Sequence, residues 1–137
     1  GCPIGSVLIG DSVIMEKAIR IRKMLGGGMR QVGVLAAAGL YALDHHRKRL
    51  SEDHRKANEI GQILQNKSYV ARLQPIETNI LIFELASHIN ADKFVLNLEN
   101  KGVLISNMGE GKLRMVTHLD YNLEMHEKLI EILESIS

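Results

Sequence analysis

The chain has 137 residues and a formal net charge of +1, with 45% apolar and 24% charged residues. That length suits one domain or part of a larger one, and the near-neutral charge gives no electrostatic reason to expect a nucleic acid or an anionic membrane as partner. Two Phe, three Tyr and no Trp leave little for a base-stacking surface. The longest apolar run, Val32 to Leu43, is too short to cross a bilayer. The single cysteine, Cys2, excludes an internal disulfide and fits a reducing, cytoplasmic compartment.

In chain order, Gly1-Cys2-Pro3-Ile4-Gly5-Ser6 opens without an initiator Met or signal sequence, which reads as a cut. Val7-Leu8-Ile9 is a short apolar strand ended by Gly10, and Asp11 caps a helix from Ser12 to Leu25. Val13, Ile14, Ala18, Ile21 and Leu25 give that helix its apolar side, and Gly26-Gly27-Gly28 stops it. A long helix then runs from about Arg30 toward Gln65, with a possible break near Gly61. Its first half, Val32 to Leu43, is apolar all round and reads as buried. From Asp44 on it is highly charged, and a seam of Leu43, His46, Leu50, Ala57, Ile60 and Leu64 gives it one packed face.

Beyond it, Tyr69 to Leu73 and Asn79 to Leu85 read as strands around the Gln74-Pro75 turn. Asn90 caps a helix from Ala91 to Asn100 with Gly102 just past its end. Val103 to Ser106 and Leu113 to Thr117 are two more strands, joined by Asn107-Met108-Gly109-Glu110-Gly111. Asp120 caps a last helix on Leu123, His126, Ile130 and Leu133. The pattern is α+β, with a small, mostly antiparallel sheet and helices. It divides into 1–30 as the trailing strand and helix of a larger domain, 31–65 as a connecting helix, and 66–137 as a C-terminal small domain.

The string Arg22-Lys23-Met24-Leu25-Gly26-Gly27-Gly28-Met29-Arg30-Gln31 sets three glycines between cationic side chains. Glycines cost a helix up to about 1 kcal/mol each, so they serve a turn. Backbone N–H groups in such a turn can form an anion nest. The string lacks the Gly-Lys-Ser/Thr of a nucleotide-binding loop. Arg114, in the strand-like Arg114-Met115-Val116-Thr117-His118, is either an exposed edge arginine or a fork for a carboxylate.

The glycine string with Val34-Leu35-Ala36-Ala37-Ala38-Gly39-Leu40 after it resembles the segment following the cofactor lysine of low-specificity threonine aldolases, pyridoxal-phosphate (PLP) lyases of fold type I. Gly1-Cys2-Pro3-Ile4-Gly5-Ser6 is similar to the Gly-Ala-Pro-Val-Gly-Ser of that family, with Cys2 as a departure. The resemblance recurs at Glu52-Asp53-His54, Thr78-Asn79 and Arg114 to Asp120. It implies retro-aldol cleavage of a β-hydroxy-α-amino acid to glycine and an aldehyde, with Arg114 clamping the substrate carboxylate. Lys23 and Arg30 become ligands of the PLP phosphate or of the site's rim, and a homo-oligomer, dimer or tetramer, is implied. The Schiff-base lysine would lie upstream of Gly1, so the isolated chain is expected to be inactive. Another PLP-dependent β-eliminating lyase, or a non-catalytic α+β oligomerisation or binding module, remains the alternative.

His45, His46 and His54 suggest a metal only superficially. Adjacent helical residues diverge by about 100°, and their neighbours are Arg and Lys, so a solvated charged face is the better reading and no metal is expected. His118 is expected to support Arg114, and His126 to lie on the packed seam of the last helix.

Overall fold

A computed structural model describes Cys2 and residues 4–136. It divides into two compact units, Gly1–Arg47 and Lys48–Ser137.

In the first unit, helix α1 spans Ser12–Met24, and the Asp11 side chain accepts the Ile14 N–H at 3.0 Å. Its end is a Schellman turn. Gly26, at φ 81°, donates its N–H to Lys23 O at 3.1 Å, and Gly27 donates to Arg22 O at 2.7 Å. A Cβ on Gly27 would sit 2.6 Å from Arg22 Cγ and 2.9 Å from Arg22 O, so no larger residue fits without movement. Two of the three glycine amides thus cap α1 and are unavailable to an anion. A turn with Gln31 at φ 55° leads into α2, Gly33–Tyr41.

Two expectations for this unit fail. Val7–Ile9 is not a strand, because among the described residues of this unit there is no second strand to share a ladder with. The apolar Val32–Leu43 run is not buried: Val34 is 80% and Leu40 64% exposed. Composition marks a surface that needs covering, and neither α1 nor α2 buries a residue.

Helical geometry continues past α2 through a wide π-turn, Ala42–His46, and a tight 3₁₀ turn, Arg47–Arg49, into α3, Leu50–Leu64. The irregularity therefore falls at 42–49 and not at Gly61. Gly61 lies inside α3 and is buried; a Cβ there would collide with Ile76 Cδ1. Its missing side chain admits Ile76 to the helix backbone and breaks nothing.

The second unit follows α3 with β1 (Val70–Leu73), β2 (Ile80–Leu85), α4 (Ala91–Asn100), β3 (Ser106–Gly109), β4 (Lys112–Val116) and α5 (Leu123–Ser135). The strands form one antiparallel sheet in the order β1-β2-β4-β3. The α+β class with a small antiparallel sheet is therefore present. Alternation sends Leu81, Phe83 and Leu85 of β2 and Leu113 and Met115 of β4 to the same side. There they meet Ala57, Ile60 and Leu64 of α3, Phe94 and Leu98 of α4, and Leu129 and Leu133 of α5 in one core. Fully burying a large aliphatic or aromatic side chain is worth about 1.5–3 kcal/mol, so this core outweighs any single polar contact in the unit.

Helix α4 matches its sequence signals. Asn90 accepts the Lys93 N–H at 2.9 Å, and Gly102 closes a second Schellman turn at φ 82°. That turn explains why β3 begins at Ser106 and not at Val103. The Val103 N–H bonds to Leu98 O at 2.9 Å, so it serves the helix end and not the ladder. The hairpin is also tighter than expected: Glu110 and Gly111 turn it with φ of 52° and 75°, the primed-turn signature. Asn122, not Asp120, caps α5, accepting the Met125 N–H at 2.9 Å. Of its expected seam, His126 and Leu133 are buried, Ile130 is half-buried and Leu123 is exposed.

A polar clasp joins α3 to α5. His126 Nε2 lies 2.8 Å from Glu59, and its Nδ1 lies 3.1 Å from the Tyr121 hydroxyl. Arg55, hydrogen-bonded to Glu59, is the main reason that its carboxyl is held below the usual range, and His126 adds to it. Tyr121's phenol is pushed above its ordinary value by burial.

Tyr69 is 2% exposed, with its ring centroid 5.0 Å from that of Phe94. Its hydroxyl has no hydrogen-bond partner among the described residues, and burial pushes its pKa up to about 12. A buried, unpaired hydroxyl costs about 1–3 kcal/mol. Tyr69→Phe keeps the ring contact and removes that cost, so its thermal unfolding midpoint should equal or exceed that of the parent. A fall of more than about 1 kcal/mol in urea unfolding would show that the hydroxyl has a partner after all.

Candidate functional site

Arg114 sits in the middle of β4, between the buried Leu113 and Met115. With a strand period of two, burying both neighbours forces Arg114 onto the opposite face. On that face its cross-strand partners are Ile82 of β2 and Ser106 of β3. Along the strand its neighbours are Lys112, 4.0 Å from Glu84, and Val116, which pairs with Ile80. The buried residues of all three helices join the core on the other side. Arg114 is exposed and makes no hydrogen bond or ion pair among the described residues. A guanidinium held on a rigid strand, flanked by Ile82 and without an ion pair among the described residues, can take a planar anion through two parallel N–H bonds.

His118 does not support it. Its Nδ1 accepts the Asp120 N–H at 3.2 Å, and it lies 3.8 Å from the Asp120 carboxylate. The β4–α5 connection closes on itself in this way and draws His118 into the turn.

Lys23 and Arg30 belong to the first unit. Lys23 is in the last turn of α1 and Arg30 in the turn before α2; both are exposed and without a hydrogen bond or ion pair among the described residues. They flank a single glycine turn. Because Gly26 and Gly27 are committed to capping α1, an anion at this turn is met by side chains. Arg114 lies in the second unit.

His45 packs against Tyr41 at a 41° tilt with ring centroids 4.3 Å apart, and His46 meets the same ring edge-on at 5.4 Å. Among the described residues no three His, Cys, Asp or Glu side chains converge as a metal site.

Sequence reasoning missed the buried polar residues beneath the Arg114 strand. Asp53 and Lys56 lie inside the charged run of α3, yet they are 3% and 1% exposed. Arg49 grips the Asp53 carboxylate with N–H bonds of 3.1 and 3.0 Å. Lys56 Nζ lies 2.9 Å from Glu52, whose carboxyl is lowered chiefly by that bond. The available signal was phase: Asp53 is one turn from Ala57, and Lys56 one turn from Ile60, so both share the packed face. Thr117 is buried as well, with its hydroxyl donating to Asp53 O at 2.7 Å.

Comparison with known proteins places the chain. Residues 1–88 match the family described as beta-eliminating lyase. The chain is 40% identical over 121 residues to low-specificity L-threonine aldolase 1 of Arabidopsis thaliana, covering 86% of this chain and 34% of the relative. It is also 40% identical over 124 residues to the low specificity L-threonine aldolase of Escherichia coli K12, covering 90% and 36%. It therefore spans about a third of the length of these relatives. Among solved structures, a C-DES mutant with glycine covalently linked to its PLP cofactor superposes with a TM-score of 0.59 at 16% identity. That match covers 77% of this chain and 28% of the other, and the likeness is one of fold. Arg114 lies beyond the stretch matched by the family, so its role rests on its own geometry. The chain belongs to the beta-eliminating lyase family.

Proposed function

We propose that this chain forms the substrate-carboxylate clamp and part of the cofactor surround of a PLP-dependent lyase. Its reaction is cleavage of threonine, allo-threonine or a similar β-hydroxy-α-amino acid to glycine and an aldehyde. The observation that carries this reading is Arg114, an exposed guanidinium without an acidic partner among the described residues, held in the middle of a strand. Two relatives at 40% identity are named as low-specificity threonine aldolases, which supports the reaction class. Residues 1–30 then belong to the cofactor domain, 31–65 connect, and 66–137 form the small domain.

The residues present suit the group in part. Lys23 and Arg30 have no competing ion pair among the described residues and can serve the phosphate; the amides of Gly26 and Gly27 cannot, since they cap α1. When bound, pyridoxal phosphate supplies the electron sink that makes the Cα–Cβ bond breakable. The part of this chain is orientation. Two parallel N–H bonds from Arg114 would fix the plane of the substrate carboxylate, and so would set which bond at Cα is presented for cleavage. Elimination from a β-substituted amino acid is the second reading, favoured by the description of the matched family. Product analysis with threonine, serine and an aromatic amino acid separates the two. A homo-oligomer of dimeric or tetrameric order, in the cytoplasm, completes the reading.

Arg114→Lys in the enzyme that carries this segment should lower kcat/KM for threonine by roughly 10- to 100-fold, the value of about one charge-assisted hydrogen bond. A point charge cannot copy the fork, and unchanged kinetics would remove Arg114 from the site. Lys23→Ala and Arg30→Ala should each weaken PLP binding about tenfold or less, as befits exposed charges met by side chain alone, with a smaller loss at high salt, where screening has already weakened the attraction. Equilibrium titration of the cofactor reads this directly, and unaltered affinity in both variants would assign the pair to the surface. The 137 residues by themselves should show no aldol cleavage, since the unit holding Lys23 and Arg30 buries none of its helical residues and so encloses no reaction space. Acetaldehyde release from threonine on this chain would contradict that.

A further inference from the structure

The strand that carries Arg114 is fastened at its far end with unusual care. Thr117, directly after β4, donates its hydroxyl to Asp53 O at 2.7 Å and its N–H to Asn79 O at 3.0 Å. Its carbonyl accepts from Asn79 Nδ2 at 2.6 Å. Four residues on, the carbonyl of Tyr121 accepts from Lys56 Nζ at 2.6 Å, with the ammonium 5.4 Å from the centre of the Tyr121 ring. Asp53 and Lys56 lie within about one turn of each other on α3, so segment 117–121 is tied to one short stretch of that helix. The side chains making the two ties to α3, Thr117 and Lys56, are 2% and 1% exposed.

These bonds are not what the core requires. Inside a helix the Asp53 carbonyl already accepts a backbone N–H four residues on, so the Thr117 hydroxyl is an additional bond there. A buried ammonium carries a desolvation cost that an apolar side chain of similar volume avoids. Its acidic partner, Glu52, is half in solvent and would not be stranded by its loss. Polar groups that packing could replace are well suited to fixing position.

We infer that Thr117 and Lys56 are positioning residues for Arg114: they fix the end of β4 and its following turn on α3, so that the guanidinium stands where a substrate carboxylate can meet its fork. This rests on the carboxylate-clamp reading of Arg114. Displacements of about 1 Å in a clamp cost up to about 100-fold in rate, which gives such anchoring its value.

The test uses Thr117→Val, which keeps shape and loses the hydroxyl, Thr117→Ser, which restores it, and Lys56→Met. In the 137-residue chain, unfolding midpoints of Thr117→Val and Lys56→Met should stay within about 3 °C of the parent. Hydrogen exchange at the amides of 114–118 should accelerate at least about tenfold while Leu98 and Leu133 keep their protection. In the enzyme carrying the segment, kcat/KM for threonine should fall about tenfold, and Thr117→Ser should behave as the parent. Equal acceleration at every core amide would mean a role in global stability only and overturns the inference. A parental kcat/KM in Thr117→Val and Lys56→Met, beside a lowered kcat/KM in Arg114→Lys, overturns it alone. A parental kcat/KM in Arg114→Lys overturns the clamp reading and this inference with it.

Discussion

The second unit depends on α3 lying against β2 and β4. Ala57, Ile60 and Leu64 present a narrow apolar strip that meets Leu81, Phe83, Leu113 and Met115. Because side chains alternate along a strand, that single contact decides the fate of every other residue on it. Leu113 and Met115 go inward, so Arg114 must face out. A slip of one residue would bury the guanidinium and expose both apolar neighbours, at a cost no surface interaction could offset. The location of the candidate site is thus a by-product of the core, and the register that stabilises the fold also aims the arginine.

Much of this is legible in the amino-acid order. The Asn90 cap and Gly102 stop delimit α4 because capping is local chemistry, and the alternating Leu113-Arg114-Met115 shows which residue leaves the core. What was not legible depends on competition between neighbours. Val103 to Ile105 has strand composition, yet the end of α4 takes the Val103 N–H first. Asp120 and Asn122 are both good caps; the geometry of the turn, closed by His118 and Asp120, selects the second. Gly61 suggested a break because its cost to a helix is local, whereas its benefit, room for Ile76, comes from a residue fifteen positions away.

Charge misled in a consistent way. The run from Asp44 to Lys56 reads as charged and solvated outside a seam through His46 and Leu50, but a helix also places residues beside that seam by phase. Arg55 is exposed, while Asp53 and Lys56 lie under the β4–α5 connection. Burial of such groups is stable only where each charge finds a close partner, and here Arg49 meets Asp53 while Glu52 and the Tyr121 carbonyl meet Lys56. Charge density in a sequence therefore says little about exposure; position relative to the apolar strip says more.

The same distinction bears on the glycine turn. Three glycines between cations suggest a backbone nest, but an α-helix ends there, and its last carbonyls have the first claim on nearby N–H groups. Gly26 and Gly27 answer that claim. The end of a helix also carries partial negative charge, worth about 0.3–1 kcal/mol to a nearby cation, which favours Arg22 and Lys23 and disfavours an anion at the same spot. Any anion held here must be drawn by Lys23 and Arg30 strongly enough to overcome that field. Recognition at this turn is therefore a matter of two long, exposed side chains, and it responds to ionic strength as such side chains do. At Arg114 the opposite holds: no helix end opposes the charge, and the strand fixes its direction.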